Sequence, residues 1–168
     1  MNKENVKNPL IDNIERVHTT EMEVVRATEE WQRAGAYYVR IQAMAKKHHI
    51  SLRQEFDDHD GDGTRYIVML DDDFPVATAR MYQLDDDSVM IGRVVVLPEY
   101  RGRRIGNMVV SECEKWAKEL GYLRSVVESR DNKTEFYEKQ GYEITGDGYI
   151  DGDTFRCIRM EKRLTCPE

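Results

Sequence analysis

The sequence predicts a single α/β domain in which a central, twisted, mixed β-sheet is flanked by helices, in the order β-α-β-β-β-α-β-α-β-β. Three segments of strand-like character are separated by short acidic turns, which is typical of a β meander. Helical and strand-like segments then alternate, which favours parallel strands joined by a helix. The length of 168 residues fits one domain of ordinary size.

The first half of the chain contributes a strand, a helix and the meander. Residues 1–20 are a polar lead-in, either a short docking helix or a mobile segment, and residues 21–168 form the domain. Thr28 suits the N-cap of a helix whose apolar side chains recur at helical spacing up to Ala45. The acidic stretch 48–63 is predicted to be a loop. The predicted strands span residues 21–27, 66–70, 76–84 and 89–97.

The second half begins where Pro98 stops the third strand of the meander, because proline cannot donate to a β ladder. An amphipathic helix is predicted from Arg104 to Gly121, where glycine suits the C-terminal cap. A strand at 124–128 and a short helix at 133–140 follow. Residues 142–149 and 155–163 are predicted to close the sheet as a hairpin, whose exposed edge is able to pair with a second copy in a homodimer.

Composition narrows the function and the location of the protein. A net charge of -7 disfavours nucleic-acid binding, because phosphate neutralisation needs Lys and Arg, and it favours a cationic partner instead. No apolar run approaches the ~20 residues that span a bilayer, and residues 1–20 lack the apolar core of a signal peptide. Cys113, Cys157 and Cys166 suggest neither a disulfide framework nor a metal site. We therefore expect a cytoplasmic protein with no membrane association and no metal.

The segment 94–107 has the composition of a phosphate-binding loop. An apolar strand ends in a proline and leads through an arginine-rich loop directly into a helix. The first N–H groups of a helix have no internal acceptor, the helix dipole favours an anion there, and glycines allow a close approach. Taken alone, a turn with solvated arginines explains the segment equally well. The candidate cofactor-binding residues are Val94, Val95, Val96, Arg101, Gly102, Arg103, Arg104, Ile105, Gly106 and Asn107.

A second motif, F-Y-E-K-Q-G-Y at residues 136–142, favours the binding interpretation. Together with Val96, Pro98, Arg101 and Gly106 it resembles the GNAT superfamily of N-acetyltransferases. That family has V-x-P, [RQ]-x-x-G-x-[GA] and F-Y-x-x-x-G-[FY] in this order. One departure is Arg104, which stands where the family has the middle glycine of the phosphate motif.

Segments further upstream resemble the ElaA-like bacterial branch of the same superfamily. These segments are Arg40, E-F-D-D-H-D at residues 55–60, A-T-A-R at 77–80 and G-R-V at 92–94. The chain departs from that branch at Lys47, His48 and Cys157, all on the side of the expected acceptor. The resemblance therefore implies the reaction and leaves the acceptor open: a small-molecule or a peptide amine.

The resemblance implies that acetyl-CoA binds along the strand ending at Val96, with Phe136 and Tyr137 also in contact with it. An amine then attacks the thioester through a tetrahedral intermediate. Tyr137 is implied as the general acid for the leaving thiolate, and a backbone N–H near Val96 as the oxyanion donor. A Lys-like amine has a pKa of ~10.4, so its deprotonation at neutral pH costs roughly 4–5 kcal/mol and a base would help.

The identity of the base stays open at this point. Glu55 and Asp57 are candidates, because an acidic loop is expected to border the acceptor cleft, and the alternative for each is a solvated carboxylate. His48 and His49 are further candidates. The D-x-D-x-D-G run at 58–63 is not a calcium loop, because Met69 stands where a bidentate Glu is needed. A non-catalytic acyl-CoA-binding sensor or regulatory module is the alternative to an enzyme.

Overall fold

The protein is described from a computed structural model over residues 22–152 and 154–165. Seven strands form one sheet in the order β1-β2-β3-β4-β5-β7-β6. Within these residues β4 and β5 are the one parallel pair, so the predicted mixed sheet and its order of elements are confirmed. The strands are β1 (Met22–Arg26), β2 (Arg65–Asp71), β3 (Phe74–Gln83), β4 (Ser88–Val96), β5 (Arg124–Arg130), β6 (Glu143–Asp151) and β7 (Arg156–Arg163). The predicted lead-in 1–20 and Cys166 lie outside the described residues.

The first helix is longer than its sequence pattern predicts. Helix α1 (Glu30–Arg40) continues through a π-helical turn (Ile41–Ala45) into α2 (Lys46–His48). It ends where His49 adopts a left-handed φ of 54°. A π-helical turn within an α-helix frequently occurs at a functional site. Here the turn carries Met44 to the face of the sheet on which the candidate site lies.

The remaining helices are α3 (Leu52–Glu55), α4 (Ile105–Glu119) and α5 (Thr134–Glu138), and a 3-10 turn (Pro98–Tyr100) precedes α4. The prediction of a continuous loop over residues 48–63 is wrong at α3. Ser51 and Gln54 form a capping box, in which each side chain satisfies the other's backbone N–H, and this stabilises one helical turn.

The helices lie on opposite faces of the sheet. The Ser125 hydroxyl hydrogen-bonds the Tyr142 hydroxyl, which also contacts Glu114 of α4. Arg130, an odd number of residues further along β5, instead contacts Met44 of the π-helical turn. Because successive side chains of a strand point to opposite faces, α4 covers one face and the α1 helix covers the other.

The core lies between the sheet and the two long helices. Val39 of α1, Ile67 and Ile91 of the sheet and Val109 of α4 are all 0% exposed. Within the described residues no helix has the length and apolar character to cross a membrane.

Candidate functional site

A bulge in β4 creates the opening in which the site lies. The pairing of β3 with β4 shifts by one residue between Thr78–Val95 and Arg80–Gly92, and Arg93 has a left-handed φ of 49°. The parallel pairing of β4 with β5 stops at Ile91 and Val127, just before the bulge. Beyond that point the two strands diverge, so the edge of β4 that faces β5 has no strand partner there.

The end of β4 presents backbone groups to this opening. Val95 is buried, whereas Val94 and Val96 are half-buried beside the core. The Arg101 side chain folds back, and its Nε donates to the Val96 carbonyl at 3.3 Å. The carbonyl at the end of the strand along which acetyl-CoA is expected to bind is thus accessible to a donor in the opening.

The loop after β4 leaves the N-terminus of α4 uncapped by any side chain. Helical hydrogen bonding begins with the Met108 N–H donating to the Arg104 carbonyl at 3.2 Å, so the amides of Ile105, Gly106 and Asn107 have no helical acceptor. The preceding residues, from Arg101 to Arg104, are exposed. Three unpaired amides beside arginines have the chemistry to bind a pyrophosphate.

The backbone conformation of Arg104 explains why the family motif has a glycine at this position. It is the N-cap of α4 and has a φ of 59°, in the left-handed region that glycine adopts without strain. An arginine in this conformation costs about 1–2 kcal/mol. Gly102, with a φ of 78°, occupies the same region in the same loop. The loop therefore keeps its shape although one glycine of the motif is absent.

Helices α4 and α5 meet at the two sequence motifs. A Cβ added to Gly106 would lie 3.3 Å from the Phe136 ring, so this glycine permits the close approach. A groove beside this contact is lined by Asn107, Asn132, Lys133, Glu135, Phe136 and Lys139. The sequence analysis missed Asn132 and Lys133, although their position just before α5, opposite the arginine loop, is a signal that was available.

Tyr137 is almost completely buried on α5. Its ring packs edge-on against Phe136 and Tyr142, with centroids 4.9 and 5.6 Å apart. Burial raises the pKa of the Tyr137 phenol, and the positive charge of Arg130 opposes this only in part. The phenol therefore carries its proton at neutral pH.

The two candidate carboxylates are bound by arginines. Glu55 is 2% exposed and accepts from Arg40 Nε at 2.9 Å, while Arg93 approaches its Oε1 at 3.5 Å. Asp57 accepts from Arg80 at 2.8 Å and from Arg93 at 3.2 Å. Burial alone would raise the pKa of Asp57, but the hydrogen bonds from Arg80 hold that pKa below its ordinary value. With its pKa lowered, the Asp57 carboxylate is a weak proton acceptor.

Asp60 completes this cluster, which we call the arginine–acid network: Arg40, Arg80 and Arg93 with Glu55, Asp57 and Asp60. The Asp60 carboxylate accepts from Arg40 Nη1 at 2.7 Å, from Arg80 at 2.9 Å and from the Tyr66 hydroxyl at 2.6 Å. Nε and Nη2 of Arg93 both donate to the Glu55 carbonyl, each at 3.2 Å. The network therefore fastens the acidic segment to the bulge in β4. In the part of the chain that is described, no cluster of His, Cys, Asp and Glu is arranged to hold a metal ion.

A further group of side chains forms a wall on the opposite side of the opening. His48 packs edge-on against the Phe155 ring at 5.1 Å, and the Arg130 guanidinium lies 3.7 Å from the centroid of the same ring. Cys157 lies opposite Arg130 in the β5–β7 ladder and is a free thiol. Burial and the charge of Arg130 lower the pKa of His48. The structure thus brings together His48 and Cys157, at two of the three departures from the ElaA-like pattern.

Comparison with known proteins agrees with this geometry. The family model described as Acetyltransferase (GNAT) family matches residues 15–142. The Bacillus subtilis protein YjcF, described as an uncharacterized N-acetyltransferase, is 27% identical over 123 residues, which are 73% of this chain and 86% of that protein. A crystal structure from Lactobacillus plantarum, whose description assigns it to the N-acetyltransferases, is 30% identical with a TM-score of 0.80, and the match covers 86% of this chain and 99% of that one. Escherichia coli ElaA shares the fold at 21% identity and a TM-score of 0.71, over 84% of this chain and 99% of its own.

Proposed function

Since this chain belongs to the GNAT family of acetyltransferases and is an acyl-CoA-dependent acyltransferase, we propose that it transfers the acetyl group of acetyl-CoA directly to a primary amine, with Tyr137 as the general acid. The observation that carries the proposal is the convergence of three features on one opening. These are the unpaired edge of β4, the uncapped N-terminus of α4 and the protonated phenol of Tyr137.

The residues around the opening fit coenzyme A. We assign its pantetheine arm to the backbone of Val94 and Val96, at the edge that β5 leaves unpaired. The amides of Ile105, Gly106 and Asn107 would bind the pyrophosphate, with positive charge from the exposed arginines before α4 and from Lys133. Phe136 closes this groove beside Gly106. Bound there, acetyl-CoA supplies the activated acyl group.

Tyr137 would hold a proton at its hydroxyl until the thiolate leaves. The pKa of the phenol is raised by burial, so loss of the proton to solvent is suppressed. Proton transfer from a positioned side chain contributes typically 10²–10⁴-fold to a rate. Removing this hydroxyl should therefore lower kcat by about two orders of magnitude.

For the base we favour His48 over the two carboxylates. Glu55 and Asp57 remain predictions, but arginines bind both of them and the pKa of Asp57 is lowered. The pKa of His48 is lowered by burial and by the charges of Arg130 and Lys47, which keeps the imidazole neutral and able to accept a proton.

The test compares Tyr137→Phe with Tyr149→Phe, which removes the hydroxyl of an exposed tyrosine of β6. Free thiol is measured with acetyl-CoA and a panel of amines, and binding of coenzyme A is measured by the shift in Tm. We expect Tyr137→Phe to lose about 100-fold in kcat with an unchanged Tm shift, and Tyr149→Phe to match the wild type. If Tyr137→Phe turns over at the wild-type rate, Tyr137 is not the general acid.

A further inference from the structure

Arg130 differs from the three arginines of the arginine–acid network because it has no acidic partner. Arg40, Arg80 and Arg93 each bind a carboxylate of the arginine–acid network. Among the described residues, Arg130 forms no ion pair. A half-buried charge without a counterion is unfavourable, because desolvation is not compensated.

The contacts of Arg130 hold its guanidinium in place without neutralising it. The group lies 3.7 Å from the centroid of the Phe155 ring, and Nη2 donates to Met44 Sδ at 3.2 Å. A thioether is a weak acceptor, so the remaining N–H groups keep most of their capacity to donate. Burial lowers the pKa of Arg130, and the nearby groups of Cys157, Tyr137 and Glu55 oppose this only in part.

The position of Arg130 places this charge at the reacting end of the opening. It is the last residue of β5, beyond the point at which β4 and β5 separate. Its charge acts on the phenol of Tyr137, and the two side chains influence each other's pKa. The acceptor amine must approach the thioester beside this phenol, so Arg130 borders the acceptor.

Two nearby acids are bound by other arginines, while Asp131, which follows Arg130 in sequence, is exposed and forms no ion pair with it. Arg40 and Arg93 bind Glu55. Glu128, two residues before Arg130, accepts from Arg159 at 2.9 Å. Within the described residues no carboxylate forms an ion pair with Arg130, although the chain as a whole carries a net charge of -7.

The phosphates of coenzyme A are not the expected partner of Arg130. The amides assigned to the pyrophosphate begin α4, on one face of the sheet, whereas Arg130 contacts the π-helical turn on the other face. Arg101 of the same loop lies near enough to act on the pKa of Arg130, but its side chain turns back to the Val96 carbonyl. The part of coenzyme A that reaches Tyr137 is the uncharged thioester end. An anion at Arg130 must then come from the other substrate.

We propose that Arg130 binds an anionic group of the acceptor, so that the acceptor is an amine that also carries a carboxylate or a phosphate. This inference rests on the proposed function, because it assumes acetyl transfer at this opening. The planar guanidinium suits either group, since both accept two parallel N–H···O hydrogen bonds. The anion would hold the amine near Tyr137 while the chain's own carboxylates stay in the arginine–acid network.

The experiment compares matched acceptors on the full-length protein. Straight-chain ω-amino carboxylates are tested against their carboxamides and against aminoalkyl phosphates, with acetyl-CoA and free thiol as the readout. A charged hydrogen-bonded pair of this kind corresponds to about 10- to 100-fold in kcat/KM. We expect kcat/KM to be higher by this factor for the anionic acceptor than for the carboxamide, mainly because KM is lower. A larger effect for the phosphate identifies phosphate as the group, and a larger effect for the carboxylate identifies carboxylate.

Variants assign the preference to one side chain. Arg130→Gln should abolish it, and Arg130→Lys should keep part of it, because the charge remains and the planar fork is lost. Arg156→Gln is the matched control, because this arginine also lies over an aromatic ring, 3.9 Å from the centroid of Tyr149. Arg156 directly precedes Cys157 in β7, so its side chain points to the opposite face of the sheet. Each variant must keep the Tm shift that coenzyme A produces.

The outcomes separate this inference from the proposed function. Turnover without any preference for anionic amines, or a preference that survives in Arg130→Gln, overturns the role of Arg130 and leaves acetyl transfer intact. If no amine is acetylated, a second readout decides: the Tm of the protein saturated with coenzyme A. A rise with the amino carboxylate or aminoalkyl phosphate that is lost in Arg130→Gln supports the anion site, and the absence of such a rise overturns it.

Discussion

Replacing Asp60 with Asn tests whether the arginine–acid network holds the acidic segment against the sheet. The Asp60 side chain is 7% exposed and accepts two hydrogen bonds from Arg40 and one from Arg80. Arg40 is 0% exposed. Removing the negative charge leaves three buried or half-buried arginines with two carboxylates, and breaking a buried pair in this way costs about 3–5 kcal/mol.

The assay is urea unfolding at neutral pH, together with a thermal scan. A loss of about 3–5 kcal/mol in the free energy of unfolding corresponds to a Tm lower by about 6–20 °C for a chain of this size. Asp58→Asn is the matched control, because Asp58 is exposed in the same segment and should change stability by less than about 0.5 kcal/mol. If Asp60→Asn loses less than about 1 kcal/mol, the network does not stabilise the fold as described.

The pH dependence of the same variant gives an independent check. Burial would raise the pKa of Asp60, but hydrogen bonds from Arg40 and Tyr66 hold it far below its ordinary value. The folded state therefore binds this proton less readily than the unfolded state, and the stabilisation is present above an unfolded pKa of about 3.9 and lost as pH falls below it. The difference between wild type and Asp60→Asn should shrink as pH falls from about 4, and a constant difference contradicts this account.

Three further predictions concern the loop and the wall. Arg104→Gly should raise the free energy of unfolding by up to about 1 kcal/mol in urea, because relief of left-handed strain exceeds the entropic cost of glycine, and a decrease would refute the strain. Gly106→Val should lower stability by about 1–3 kcal/mol and weaken coenzyme A binding in a titration, because the new Cβ lies 3.3 Å from Phe136; unchanged values would contradict the close packing. His48→Asn should lower kcat/KM. In the wild type kcat/KM should fall at some pH below about 6.5, where His48 becomes protonated, because the pKa of His48 is lowered from its ordinary value. The variant should lack this fall in kcat/KM, and a fall that persists excludes His48 as the base.

Local patterns in the sequence predicted the elements that surround the proposed cofactor site. The proline that ends β4, the arginine-rich loop and the F-Y motif lie close together along the chain, and each belongs to one element with a recognisable start or end. Tertiary structure then brings Gly106 against Phe136. Short motifs in regular elements therefore carried enough information to predict the fold, and the assignment of these residues to coenzyme A stays a prediction.

The acceptor side depends on contacts that no local pattern reveals. Arg130 and Met44 are 86 residues apart in sequence, and only the hydrogen bond between them shows that they lie next to each other in the fold. The bulge at Arg93 is a shift in strand register, which the alternation of residues in β4 does not disclose. The acidic segment 55–60 was interpreted as a loop bordering the cleft, whereas arginines from three distant elements bind its carboxylates.

Net charge describes the whole surface and not the surroundings of Arg130. The value of -7 favours a cationic acceptor when it is averaged over the surface. Beside Arg130, Glu55 and Glu128 are bound by other arginines, so neither carboxylate forms an ion pair with the Arg130 guanidinium. Recognition at a site depends on the groups within a few ångströms of the substrate, and these contacts outweigh the net charge of the whole surface.

The central claim is that this protein acetylates an amine in the opening between β4 and β5. The most direct measurement is mass spectrometry of the products after incubation with acetyl-CoA and a panel of primary amines, with free thiol quantified in the same samples. The account predicts an N-acetylated amine and one equivalent of free thiol, both strongly reduced in Tyr137→Phe. A protein that binds coenzyme A, shown by a raised Tm, and yet forms no acetylated amine would contradict it and indicate a binding module instead.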